Sequence, residues 1–382
     1  MRQRRGRPRG RHRGARAVAV GATAVGFLGL VPAVPVSGPD PAAATIGVQG
    51  AEGDAVAADV PVGGRYLEEV FPAVDVTTDV AYRETVSATG DLVTLALDIY
   101  EPAGDTVERR PVVLVAHGGF FALGDKTDAW GGGLRVAEPF ARRGYVVVSI
   151  QYRTRSPACL PAPSGELLDA EDCAAAAVDA YDDAFAALAW VRDNATDLHI
   201  DPDAIVPLGW SAGGSLAWAL AWFQGSADRP EPSGIAAAVS NAGIPFQDLD
   251  TGELPRSARP EDPPVLAFHG TADSVLPFED AERPCREATE AGARCELVAF
   301  PGGGHPLVDP DGLNLHADEI YARTIEFLAE EVLLPQGFFD EDGVPSPTTP
   351  TPGDVMSPGG PDTRPPTAPP ADPVVAEPHY TG

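Results

Sequence analysis

The amino-acid sequence predicts an α/β fold: a mostly parallel sheet of eight strands, covered by helices on both faces and without a large lid. Three observations lead there. Short apolar runs alternate with longer helical patterns from residue 75 to residue 332, as in a succession of βα units. The inner runs, such as Val112-Val113-Leu114-Val115-Ala116 and Pro264-Val265-Leu266-Ala267-Phe268, are apolar throughout, as parallel strands buried on both faces require. Several of these runs end in a turn that carries a reactive or polar group, which is where open α/β sheets place ligands.

Taken in order, strands are expected near 75–83, 92–100, 111–117, 145–151, 204–210, 235–240, 264–269 and 295–300. The first two alternate in polarity and read as an antiparallel edge; the others read as buried members of βα units. Helices are expected near 133–143, 170–194, 212–224, 278–291 and 314–332. Roughly 270 residues are ample for one such core. The stretch 243–262 leaves room for a loop or a small flap, not for a helical lid that opens at an interface.

The most informative turn is Gly209-Trp210-Ser211-Ala212-Gly213, between the strand ending at Trp210 and the helix 212–224. A serine hydroxyl is a weak nucleophile unless it is exposed on a sharp turn with a base beside it. The Gly-x-Ser-x-Gly pattern supplies the turn, because small flanking residues let strand and helix approach closely. Alone the pattern is weak; as a competing reading, Ser211 is a helix N-cap. Asp273 follows the strand-end His269-Gly270-Thr271-Ala272. Its competing reading is a turn residue, with Glu279 and Asp280 as the nearest rival carboxylates. His305 closes Pro301-Gly302-Gly303-Gly304-His305 after the last strand. Of the other histidines, His12 and His379 lie in segments not expected to fold, and His199 follows a helix. His117 and His269 read as structural members of strand-end motifs, and His316 lies on the last helix. Upstream, His117-Gly118-Gly119-Phe120-Phe121 ends a buried strand and can turn backbone N–H groups toward an oxyanion.

With these motifs in the order Ser211, Asp273, His305, the chain resembles the secreted α/β-hydrolase esterases and lipases, the carboxylesterase and feruloyl-esterase-like group with a His-Gly-Gly oxyanion motif. The resemblance spans roughly residues 66–335 and rests on His117-Gly118-Gly119, Gly124-Asp125-Lys126, Gln151-Tyr152-Arg153, Gly209-Trp210-Ser211-Ala212-Gly213-Gly214, His269-Gly270-Thr271-Ala272-Asp273 and Gly304-His305. It implies an α/β-hydrolase fold and a Ser211–His305–Asp273 triad working through an acyl-enzyme on small or polymer-attached esters. It implies oxyanion donors at the N–H groups of Gly119, Phe120 and Ala212, and an ion pair of Arg153 with Asp182 or Asp183 beneath the site. Phe120 stands where many relatives have a third glycine, which implies a narrower acyl side. No metal or organic cofactor is expected. The alternatives are a polyester depolymerase, a prolyl-oligopeptidase-like peptidase, for which the chain has no room for a propeller, and a catalytically silent surface-binding protein on a hydrolase scaffold.

The ends of the chain have their own character. Met1–Arg16 carries eight arginines, Ala17–Val36 is apolar, and Ala42-Ala43-Ala44 offers small residues for cleavage. This reads as a secretory signal over residues 1–44, with an N-terminal membrane anchor as the alternative. A twin arginine, Arg4-Arg5, is present, but no apolar pair follows it closely. Residues 45–65 read as a linker, 66–335 as the catalytic domain, and 336–382 as a disordered tail rich in proline, threonine and glycine. The formal net charge is −29, a surface that repels nucleic acid and anionic membranes. Four cysteines in an exported chain suggest two disulfides, and local pairing, Cys159 with Cys173 and Cys285 with Cys295, is the simplest of three possibilities.

Overall fold

The computed structural model describes residues 44–45, 64–127, 130–131, 134–157, 159–160, 168–222, 234–245, 258–305 and 316–339. The expected leader up to residue 43, most of the linker, residues 246–257 of the flap segment and the tail beyond 339 lie outside the described residues. The strands are β1 (Ala44–Thr45), β2 (Val74–Val86), β3 (Leu92–Pro102), β4 (Arg110–Ala116), β5 (Trp130–Gly131), β6 (Leu134–Arg135), β7 (Val146–Ile150), β8 (Ile200–Trp210), β9 (Ala238–Asn241), β10 (Val265–Gly270) and β11 (Cys295–Phe300). The helices are α1 (Ala137–Arg142), α2 (Ala170–Asp193), α3 (Ala212–Trp222), α4 (Glu279–Glu290) and α5 (Ala317–Leu328), the last continuing into a π-helical turn at Ala329–Leu333.

The main sheet runs in the order β1-β11-β10-β9-β8-β4-β7-β3-β2. From β7 to β11 all neighbours are parallel; β2 and β3 add an antiparallel edge at one side. The ninth strand, the two-residue β1, pairs antiparallel with β11 and was not expected from the sequence, which has no apolar run there. Burial explains the pattern of the inner strands. Along β4, Val112, Leu114 and Ala116 enter one core, while Val113 and Val115 enter the other. That alternation with period two leaves no solvent-facing side and so demands a continuous apolar run. Helices α2, α3 and α4 cover the first face; α1 and α5 cover the second.

Local chemistry fixes the helix ends. The Asp169 side chain accepts from the Asp172 N–H at 3.0 Å and caps α2, whose first turn also carries Glu171 and whose last carries Arg192. Such a cap contributes about 1 kcal/mol, and both charges suit the helix dipole. The inner side of α2 presents alanines Ala176, Ala177, Ala180, Ala184 and Ala187, which let the helix lie close to its neighbours. Among the described residues, no helix is long and apolar enough to cross a membrane.

Three boundaries differ from expectation. The helix expected over 133–143 is only Ala137–Arg142, preceded by the small β5–β6 ribbon. Each glycine in the Gly131-Gly132-Gly133 run costs a helix about 1 kcal/mol, so the helix starts beyond it. The linker does not reach residue 65: the buried Arg65 guanidinium forks onto the Asp105 carboxylate and bonds the Gly144 carbonyl at 3.2 Å. Nor does the tail begin at 336. Phe338 and Phe339 are buried and meet the Tyr66 ring edge-on at 5.6 and 6.2 Å, while Arg109 grips the Gln336 carbonyl. The two ends of the domain therefore close on each other through aromatic burial, a long-range contact that local composition does not announce.

Candidate active site

Ser211 stands between β8 and α3 with φ +54. An L-residue in that region is strained by contact between its side chain and backbone, and the surroundings hold it there. Its N–H donates to the Asn241 carbonyl of β9 at 2.8 Å, and its own carbonyl accepts from Ser215 N–H at 2.9 Å. The flanking glycines are required by contact. A Cβ on Gly213 would lie 2.0 Å from the Ala116 carbonyl oxygen, and one on Gly209 would lie 2.3 Å from the Gly213 carbonyl carbon.

The structure brings Ser211, His305 and Asp273 together, all largely buried. His305 Nε2 is 2.9 Å from Ser211 Oγ, and its Nδ1 is 2.7 Å from Asp273 Oδ2. With the ring proton on Nδ1, that nitrogen donates to the carboxylate, and Nε2 accepts from the serine hydroxyl. Asp273 is fixed at its other oxygen as well: Oδ1 accepts from Val275 N–H at 2.8 Å and Leu276 N–H at 2.9 Å. Burial alone would raise the Asp273 pKa, but hydrogen bonding by His269 and His305 outweighs it and holds the group well below the usual carboxylate range. Neither Glu279 nor Asp280 takes the place beside His305; both belong to α4. His316 sits at the start of α5, its ring stacked on Phe300 at 4.1 Å.

The loop after β4 supplies candidate donors. Gly119, Phe120 and Phe121 have φ of +110, +59 and +54, so the chain curls tightly. The Gly119 carbonyl points back into the loop, accepting from Ala122 and Leu123 N–H at 3.0 and 2.9 Å. The N–H groups of Gly119 and Phe120 donate to no acceptor among the described residues. Ala212 opens α3, so its N–H is one of the first-turn donors without an intrahelical partner. Tyr152 anchors this loop from below: its hydroxyl donates to the His117 carbonyl at 2.7 Å and its ring stacks on His117 at 4.0 Å. Beneath it, Arg153 pairs with Asp183 at 2.8 Å, with Asp179 beside it. The sole lysine, Lys126, joins Asp98 and Asp79 at 2.7 and 2.9 Å, and Ser149 donates to its carbonyl. Both cysteine pairs, Cys159–Cys173 and Cys285–Cys295, are disulfide-bonded. Among the described residues, no group of three or more His, Cys, Asp or Glu side chains is arranged to hold a metal ion.

Two neighbours of this cluster were not singled out for it from the sequence. Trp210, whose ring lies 5.6 Å from that of His305, is the variable residue of the serine motif. A Cβ on Gly118 would meet the Trp210 ring at 2.3 Å, so the indole packs directly on the His-Gly-Gly turn. His269 Nε2 lies 3.3 Å from Asp273 Oδ2; its position four residues before Asp273 was the one available signal.

Comparison with known proteins places the fold among esterases. The family described as BD-FAE matches residues 97–231, which include the His-Gly-Gly and Gly-x-Ser-x-Gly turns and stop short of Asp273 and His305. A probable carboxylesterase of Oryza sativa subsp. japonica is 35% identical over 111 residues, 29% of this chain and 43% of that protein. The carboxylesterase SOBER1 of Arabidopsis thaliana is 31% identical over 107 residues, with 28% and 43% covered. The chain thus spans less than half the length of these curated relatives. Among solved structures, esterase 2 of Thermogutta terrifontis phosphoramylated by tabun aligns with a TM-score of 0.52 and 29% identity, covering 68% of this chain and 95% of that one. The same esterase with butyrate bound gives 0.51 and 27%, covering 75% and 99%. The chain has an α/β-hydrolase fold. It is similar to carboxylesterases and esterases, and also to a segment of a non-reducing polyketide synthase of Aspergillus terreus, 29% identical over 212 residues, 50% of this chain and 8% of that protein.

Proposed function

We propose that the chain is a serine hydrolase of carboxylic esters in which Ser211, His305 and Asp273 act as one unit. The observation that carries this reading is the continuous relay of 2.9 and 2.7 Å from Ser211 Oγ through His305 to Asp273, on a fold shared with esterases. In this mechanism Ser211 Oγ attacks the ester carbonyl carbon while His305 Nε2 takes the hydroxyl proton. Asp273 keeps the imidazole in the tautomer that can accept it and stabilises the imidazolium. The tetrahedral oxyanion is held by the N–H groups of Ala212, Gly119 and Phe120. On collapse the alcohol leaves with the proton from His305, and an acyl-enzyme remains. Water, deprotonated by His305, then releases the acid and restores Ser211.

The proposed substrates are small esters, with polymer-attached esters as an extension. The narrower acyl side that Phe120 implies by the resemblance, and solved structures of the Thermogutta esterase with propionate and with butyrate bound, favour short acyl chains. Export is part of the proposal: it rests on the basic and apolar leader in the sequence, and two disulfides suit an oxidising compartment. The decisive experiment is hydrolysis of p-nitrophenyl acetate and butyrate by the wild type and Ser211→Ala. Turnover is expected to fall by about 10⁶ in the variant. Retention of a tenth of the activity would remove Ser211 from the mechanism, and an inert wild type would favour a binding protein on this scaffold.

A further inference from the structure

His269 is a buried titratable group that the mechanism above does not use. It is the penultimate residue of β10 and is wholly buried. Its Nε2 lies 2.8 Å from the Leu276 carbonyl oxygen and 3.3 Å from Asp273 Oδ2. Both partners are acceptors, so Nε2 must carry the proton. Its Nδ1 is buried with no partner among the described residues. A second proton there would be a buried donor without an acceptor, which is costly, so the neutral Nε2–H tautomer fits the site. The groups facing this ring are the Asp273 carboxylate, His305 across that carboxylate, the Asp280 charge from α4 and the edge of Phe278 at 6.1 Å.

These contacts form a closed circuit. Leu276 N–H donates to Asp273 Oδ1, Leu276 carbonyl accepts from His269, and His269 reaches Asp273 Oδ2. Without His269, Oδ2 would be held by His305 alone, and the carboxylate would depend on the turn that bears it. With it, the carboxylate is tied to a central strand, and a rigid strand fixes a catalytic group better than a loop does. We propose that His269 is a positioning residue: its Nε2–H, bonded to the Leu276 carbonyl at 2.8 Å and 3.3 Å from Asp273 Oδ2, fixes the aspartate turn and keeps Oδ2 in the direction that His305 Nδ1 needs; this rests on the ester-hydrolase reading above.

The test uses the full-length protein and p-nitrophenyl butyrate. His269→Leu removes the donor and keeps the bulk. Its kcat is expected to fall roughly ten- to a hundredfold, because the bond to the Leu276 carbonyl and the contact with the Asp273 carboxylate are lost together, with KM within about twofold. His269→Gln places an amide donor near the position of Nε2 and restores most of kcat; His269→Asn, one bond shorter, does not. A role confined to stability would lower the melting temperature without this order of kcat. Unchanged kcat in His269→Leu, or equal rates in the glutamine and asparagine variants, overturns the proposal. Should the leucine variant not fold, histidine ¹⁵N spectra of the wild type decide: an Nε2–H tautomer supports the proposal, and an Nδ1–H tautomer or an imidazolium at His269 overturns it. Ser211→Ala in the same assay separates the two ideas. If it stays active, the ester-hydrolase reading falls and takes this one with it; if it is dead while His269→Leu is fully active, only the positioning role falls.

Discussion

Replacing Asp273 by asparagine changes one atom and should silence the relay, for a reason the hydrogen bonds set out. Two backbone donors, Val275 N–H at 2.8 Å and Leu276 N–H at 2.9 Å, converge on Oδ1. Only the amide oxygen can occupy that place; the reverse orientation would face the amide NH₂ with both donors, each left unsatisfied at about 1–3 kcal/mol. The NH₂ is therefore forced to the Oδ2 position, 2.7 Å from His305 Nδ1. There it donates, so His305 must accept through Nδ1 and carry its proton on Nε2. That proton then faces Ser211 Oγ at 2.9 Å, and the ring is unable to take the serine proton. Such a tautomer reversal lowers kcat by about 10⁴, or roughly 5.5 kcal/mol in the barrier, with KM little changed. The same substitution has a signature in stability. Asp273 has a folded pKa below its unfolded value of about 3.9. Its ionised form therefore stabilises the fold above that value, and this contribution is lost as pH falls through the depressed folded value. The melting-temperature gap between wild type and Asp273→Asn should be full at neutral pH and narrow progressively below about pH 4. Steady-state kinetics on p-nitrophenyl butyrate and thermal melts across pH test both parts. A kcat loss of less than tenfold, or a gap that does not change with pH, would refute the reasoning.

Three further outcomes follow from the same geometry. Gly213→Ala places a Cβ 2.0 Å from the Ala116 carbonyl oxygen and 2.7 Å from that of His117. Overpacking of this kind costs about 1–3 kcal/mol, and displacing the serine turn by even 1 Å should cost about a hundredfold in kcat; near-normal rates would show that the turn tolerates separation. His305→Gln should abolish ester hydrolysis while His316→Gln, whose ring packs on Phe300, keeps it; the opposite result would move the base to the start of α5. Phe338→Ala should destabilise the fold by about 3–5 kcal/mol in denaturant unfolding and leave kcat intact below the melting transition, whereas truncation after Asp340 should alter neither; an unaffected Phe338→Ala would mean that the domain ends before Gln336.

The parts of this molecule that were legible in the sequence are those written in local chemistry. All eight expected strands exist within four residues of the expected limits: the six inner ones because buried parallel strands can only be continuous apolar runs, and the two edge strands because they alternate in polarity. The serine turn was legible because a nucleophile between a strand and a helix needs Gly209 and Gly213. What escaped depends on contacts far apart in the chain. Phe338 and Phe339 follow a proline and a glycine and precede a polar tail, so nothing local marks them as core; distant partners such as Tyr66 and Arg109 make them so. Asp183 rather than Asp182 faces Arg153, a choice of neighbours fixed by the phase of α2 against the strand. His269 reads as structural from its place inside a strand-end motif; its bond to the Leu276 carbonyl lies across the turn, where no local pattern shows it.

The sheet order explains why the histidine loop must lie directly against the aspartate loop. Ser211 follows β8, Asp273 follows β10 and His305 follows β11, with β9 and β10 lying between the first and the last. Neighbouring strands are about 4.8 Å apart, so the ends of β8 and β11 are roughly 14 Å apart, while His305 must come within hydrogen-bond reach of Ser211. The loop after β11 can meet that requirement only by turning back across the end of β10. It does so in direct contact: a Cβ on Gly270 would lie 2.2 Å from the Gly303 carbonyl oxygen, and Ala272 N–H donates to the same carbonyl at 2.9 Å. Thr271 N–H bonds Phe300, and Gly302 N–H bonds the Thr271 hydroxyl, so the aspartate loop and the histidine loop are zipped into one layer. The intervening strand serves the nucleophile in turn, because the β9 carbonyl at Asn241 receives the Ser211 N–H and holds its strained backbone. Gly270 thus answers to the close approach of the histidine loop, whereas Gly302, at φ +73 with open space around it, answers to turn chemistry; the spacing of the parallel sheet is what requires the two loops to meet.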